Sequence, residues 1–141
     1  LLISGVGGVI ASYLNRRKRR AYAEYLRKEK RYRKLLGALR GFYASNSNEV
    51  SLKNEFLEQV DLCWLYCPDD VIWKIYGFLD TQFSEKKPPA TQEEKQAALG
   101  EMVVAIRKDL LSRKIVKQTS LRANDFRRTV VASPSSVQTR S

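Results

Sequence analysis

The sequence predicts an all-α protein, a long N-terminal membrane-to-cytosol helix packed on a small antiparallel helical bundle. Three observations predict it. No proline interrupts Leu1 to Ala44. Apolar residues recur at three- and four-residue spacing in successive stretches, and no stretch shows the alternation of a strand. Hydrophobic residues make up 43% of the 141, enough for one packed domain with an appendage.

The first segment, 1–15, reads as the C-terminal part of a transmembrane helix. Leu1 to Leu14 carries no charge, and Arg16, Arg17, Lys18, Arg19 and Arg20 follow at once. An apolar run and then a basic cluster is the order expected at the cytoplasmic end of a membrane span. A secretory signal has the reverse order. The run covers roughly 21 Å of a ~30 Å hydrocarbon core, and the chain begins with Leu1, so a longer apolar stretch is expected upstream. The expected location is a bacterial inner membrane, single-pass, with the C-terminal domain cytoplasmic. Two other readings compete for these residues. Gly5-Val6-Gly7-Gly8 could open a dinucleotide-binding turn, but no second strand follows it. A plain buried core helix is the other. Ser4, Gly8 and Ser12 form a small-residue face that would allow helix association.

Residues 16–45 read as a basic juxtamembrane helix. Tyr22, Tyr25, Glu29, Tyr32, Leu36, Leu39 and Tyr43 form a heptad-like stripe with one polar break. The expected contact of Arg16 to Arg20 is anionic lipid, at about 1 kcal/mol per residue. Tyrosines interleaved with Arg and Lys make nucleic acid the rival partner. Gly37 and Gly41 each cost a helix ~1 kcal/mol against alanine, which points to close helix packing there.

Residues 46–128 read as a helical cytoplasmic domain. A helix over Glu49 to Tyr66 places Leu52, Phe56, Val60, Cys63 and Cys67 on one face. Pro68 followed by Asp69 and Asp70 restarts a helix, with acids beside the positive end of its dipole. That helix buries Ile72, Ile75, Leu79 and Phe83. After a Lys86–Ala90 linker, Thr91 and Glu94 form a capping box. The last long helix turns Leu99, Met102, Val103, Ile106 and Leu110 inward and ends near Arg113. A short helical turn is expected within Leu121 to Phe126, and 129–141 reads as a disordered tail.

The formal net charge of +11 is divided unevenly. Asn15 to Arg40 holds 12 basic and two acidic residues; Gly41 to Arg113 holds 8 basic and 12 acidic; Lys114 to Ser141 holds 6 basic and one acidic. A mildly acidic domain therefore lies between two basic segments.

The chain has no histidine, which excludes Ser-His and Cys-His nucleophile systems and His-ligated metals. Cys63 and Cys67 are too few for a thiolate zinc site, so no metal and no cofactor is expected. Asp69 and Asp70 are the one carboxylate pair that could do acid–base chemistry, but acids at a helix start are ordinary caps. A structural ion pair between Arg107 and Asp69 or Asp70 is expected instead. Trp64 and Trp73 are expected in the core or on a partner face.

Trp64 to Ile72 (Trp-x-Tyr-x-Pro-Asp-acid-Val-Ile), Leu99 to Leu110 (Leu-Gly-Glu, then Arg-Lys-Asp-Leu) and Thr119 to Arg127 together resemble small uncharacterised bacterial membrane-anchored proteins with a helical cytoplasmic domain. The resemblance implies a bacterial origin and an anchored helical domain, and supplies no catalytic residue. The expected function is a membrane-anchored, non-enzymatic interaction module for another protein or a second copy. Nucleic-acid binding through 16–40 and the basic C-terminal segment is the alternative, and no small-molecule substrate is inferred.

Overall fold

Every regular element of the computed structural model is helical. It describes residues 2–43, 48–83, 88–112 and 118–128, with side chains from Gly5 onward. Four helices follow in order, α1 (Leu2–Ala38), α2 (Glu49–Tyr66), α3 (Asp69–Phe83) and α4 (Gln92–Leu111). A 3₁₀ turn over Leu39–Phe42 ends α1, and a second covers Ala123–Asp125. The expected tail at 129–141 lies outside the described residues.

The long first helix packs against a small bundle of the other three. α3 lies along α4, while α2 packs on α1 and its 3₁₀ turn. Thr91 caps α4: its hydroxyl accepts from the Glu94 N–H, and the Glu94 carboxylate accepts from the Thr91 N–H. The α2–α3 junction is only Cys67 and Pro68, and the Cys67 N–H still donates to the Cys63 carbonyl.

The core is built around Phe56 and Phe78, both fully buried with Leu35, Ile75 and Met102. Phe42, in the 3₁₀ turn, sets its ring edge-to-face against Phe56, Phe78 and Phe83 at 5.3, 5.5 and 5.7 Å. Most expected core positions on α2 and α3 are buried, and Val71, Tyr76 and Phe78 join them. The inward face of α4 is turned from the expected one: Met102, Ala105, Ile106 and Asp109 are buried, whereas Val103 is exposed. On α1 the buried face is Tyr32, Leu35, Ala38 and Leu39, and Tyr22 stands in solvent.

The expected single-pass inner-membrane anchor is overturned. Among the described residues no helix is long and apolar enough to cross a membrane. The physical reason lies in α1 itself: most of the helix is the basic segment from Arg16 onward, which continues directly from the apolar residues without a break. The cytoplasmic placement built on that anchor is withdrawn with it. The two competing readings of these residues also differ from the structure. Gly5 to Gly8 are helical and form no turn, and residues 5–22 are exposed rather than core.

The paired glycines behave differently. A Cβ on Gly41 would lie 2.7 Å from the Lys53 backbone nitrogen and 2.8 Å from Leu52 Cβ, so backbone meets backbone there. A Cβ on Gly37 would meet nothing within 4 Å. Gly41→Ala is therefore expected to lower stability by about 1–3 kcal/mol, since α2 must move aside. Gly37→Ala should raise it by roughly 0.5–1 kcal/mol. Urea unfolding of the two variants reads both signs, and equal effects would refute the close approach at Gly41.

Candidate functional site

Among the described residues Asp109 is the one buried charged residue, at 7% exposure near the end of α4. A carboxylate in that position needs partners, because its desolvation costs several kcal/mol. Two residues of α1 supply them from successive turns. The Tyr32 hydroxyl donates to Oδ2 at 2.5 Å, and Lys28 Nζ donates to Oδ1 at 3.3 Å. Lys28 also donates at 3.3 Å to the Asp109 carbonyl oxygen, which accepts the Ser112 N–H at 3.1 Å as well, and a cation there complements the negative end of the α4 dipole. Burial first, and then Cys67 and the Asp109 carboxylate, hold the Tyr32 hydroxyl far above the usual phenol range. The clamp thus joins the first long helix to the last.

Cys67 adjoins this clamp and Cys63 lies one turn earlier, both buried and both free thiols. Their mutual hydrogen bond, and then burial, raise the Cys67 thiol well above its ordinary range, while the same bond lowers Cys63. Cys63 Sγ lies 3.8 Å from the Tyr66 hydroxyl. Among the described residues no three His, Cys, Asp or Glu side chains come together as a metal-binding cluster.

Asp69 is not paired with Arg107. Its carboxylate accepts from Thr119 Oγ1 at 2.7 Å, the Ser120 N–H at 2.7 Å and Ser120 Oγ at 3.1 Å. Arg107 is exposed, and so is Asp70. The expected Arg107–Asp69/Asp70 pair is replaced by Lys28–Asp109 for a helical reason. With Met102 and Ile106 facing inward, the inward register falls on 109, while 107 is turned about 100° from Ile106.

Asp69 therefore works as an anchor for the segment 119–127. This segment crosses α2 and α3 as a strap. Phe126 packs edge-to-face on Trp64 at 5.3 Å, and Trp64 Nε1 donates to the Tyr76 hydroxyl at 2.7 Å. The same hydroxyl accepts from the Arg127 N–H at 3.1 Å, and the Arg127 guanidinium lies 4.9 Å from the Tyr76 ring centre. An Arg127–Asp80 pair at 3.0 Å closes the strap's far end. Trp64 is thus held under the strap, whereas Trp73 is 44% exposed against Tyr76.

Between α1 and the α2–α3 junction, beside the strap, lies a cleft of about 480 Å³. Glu24, Arg27, Lys28 and Arg31 form its α1 wall. Trp64, Leu65, Ile72 and Leu121 give it an apolar lining, and Thr119 and Asp69 lie at one side. The Arg31 guanidinium sits 4.4 Å from the Tyr66 ring centre, which fixes it by a cation–π contact. Arg16 to Arg20 do not line this cleft and are exposed along α1.

The sequence reasoning missed Lys28, Tyr32 and Asp109 as a unit. One signal was available, since Asp109 falls three residues after Ile106 and seven after Met102, on the buried stripe. Arg27 and Arg31 carry no distinguishing signal within a run of similar charges. No protein family, curated protein or solved structure was found to match the chain, so the site stands on its own geometry.

Two outcomes test this geometry. Tyr32→Phe leaves a buried carboxylate oxygen without its donor, and a loss of about 1–3 kcal/mol in urea unfolding is expected. A change near zero would mean that Asp109 is satisfied without Tyr32. The hydrogen bonds from Thr119 and Ser120 lower the Asp69 pKa below its ordinary value of 3.8. A depressed carboxylate contributes stability that is present above the unfolded pKa and lost as pH falls through the folded one. Strap release, followed by Trp64 fluorescence, should thus appear in acid below about pH 4 and be abolished as a pH-dependent step in Asp69→Asn.

Proposed function

We propose that this protein is a non-enzymatic helical interaction module that contacts an acidic protein partner through the projecting half of α1. The observation that carries the reading is the exposure of residues 5–22 on every side, about 27 Å of helix beyond the bundle. Val6, Val9, Ile10, Tyr13 and Leu14 stand in solvent there. A helix that leaves such apolar residues uncovered gains little from its own packing, and exposed apolar patches mark contact sites. Arg16 to Arg20 follow, and among the described residues none of them pairs with an acid. Two such arms side by side would set five positive charges against five, so an acidic surface fits better than a parallel copy. Asp69, the candidate acid–base residue, is engaged by the strap, which supports a structural role for it.

A photo-crosslinking residue at Tyr13 tests the proposal in cells. A protein adduct is expected, and reversing Arg16–Arg20 to glutamate should remove it while the bundle stays folded. An adduct indifferent to that reversal would sink the reading.

Nucleic acid remains a second reading, favoured by Tyr22 and Tyr25 standing exposed among Arg and Lys on the same helix. It predicts affinity falling with salt at a log–log slope of about −4 to −5 if five phosphates are neutralised. A nuclease-sensitive adduct at Tyr13 would select it over the protein partner.

A further inference from the structure

We infer that the cleft between α1 and the α2–α3 junction is a binding site for a small amphiphile with an apolar body and one anionic head, a carboxylate or a phosphate monoester. The site is separate from the projecting arm and independent of the function proposed for it. Its volume of about 480 Å³ falls within the range of about 300–1,000 Å³ typical of ligand pockets. Its walls divide by chemistry. Trp64, Leu65, Ile72 and Leu121 offer an apolar surface that water covers poorly, and Leu65 is 81% exposed.

The charges around the cleft do not cancel. Lys28 is matched by Asp109, and the Asp69 carboxylate is occupied by three hydrogen bonds from Thr119 and Ser120. That leaves Arg27 and Arg31 against the single carboxylate of Glu24. Neither arginine forms an ion pair among the described residues. They stand one turn apart on α1, so both guanidinium groups can address one anion. Arg31 is already oriented by the Tyr66 ring, which lowers the entropy lost when it grips a ligand. A cation or a neutral chain would gain from the apolar wall but not from this surplus. A bare anion would gain from the arginines but leave the wall wet.

The test uses the full chain carrying Trp73→Phe, so that Trp64 alone reports on the cleft. Dodecanoate and dodecyl phosphate are titrated separately, which distinguishes a fatty carboxylate from a phosphate ester. Dodecyltrimethylammonium, dodecanol and acetate are the controls. A saturable change in Trp64 emission with at least one anionic amphiphile is expected, with Kd below about 1 mM. Arg27→Gln with Arg31→Gln should weaken it at least about tenfold, while circular dichroism stays unchanged because both side chains are exposed. Reversing Arg16–Arg20 should leave it intact, which separates this site from the arm. Equal binding of the cationic amphiphile, saturation by acetate, no saturation below about 1 mM, or indifference to the double variant would each overturn the assignment.

Discussion

A carboxylate withdrawn from water at the end of α4 demands a cation and a hydrogen-bond donor, and α1 provides both from successive turns. That demand organises the molecule. Asp109 sits on the buried face of α4 with Met102, Ala105 and Ile106, and it accepts from Lys28 and Tyr32 across a separation of 77 residues or more. Replacing such a pair by apolar groups would often be neutral, but removing one member leaves an uncompensated charge. The clamp thus fixes which face of α1 meets the bundle. Leu35, Ala38 and Leu39 follow on that face, and Phe42 is delivered into the aromatic cluster one turn later.

The register set by the clamp also creates the cleft. With Lys28 turned toward α4, Arg27 and Arg31 fall beside the α2–α3 junction, where Tyr66 receives the Arg31 guanidinium. The third boundary comes from the strap, held by Asp69 at one end and by Asp80 through Arg127 at the other. Three segments far apart in sequence thereby share one concave surface. Asp69 illustrates how a residue suited to acid–base chemistry can be committed elsewhere: its lone pairs accept from Thr119 and Ser120.

Charge follows the same division. Arg16 to Arg20 stand on the projecting part of α1, the other basic residues of α1 flank its packed face, and the acidic residues are concentrated within α2 to α4. Read along the sequence, an apolar run beside Arg16–Arg20 has the order of a membrane exit. Among the described residues, however, no helix is long and apolar enough to cross a membrane. In the structure the apolar residues from Val6 to Leu14 and the cations Arg16 to Arg20 stand exposed in succession along one helix.

Local physical chemistry determined the elements. Three-four spacing placed Phe56, Val60, Cys63, Ile72, Ile75 and Leu79 in the core, Thr91 and Glu94 capped α4, and Pro68 with Asp69 restarted the chain as α3. These depend on neighbours a few residues away, so the sequence alone carries them. Only the tertiary structure decided that Asp109 faces inward and Arg107 outward, that Gly41 and not Gly37 meets another backbone, and that Asp69 holds a strap. Each of those depends on the rotation of one helix about its axis relative to another. Periodicity fixes such a rotation only to within a residue or so, and a shift of one residue turns a helical side chain by about 100°.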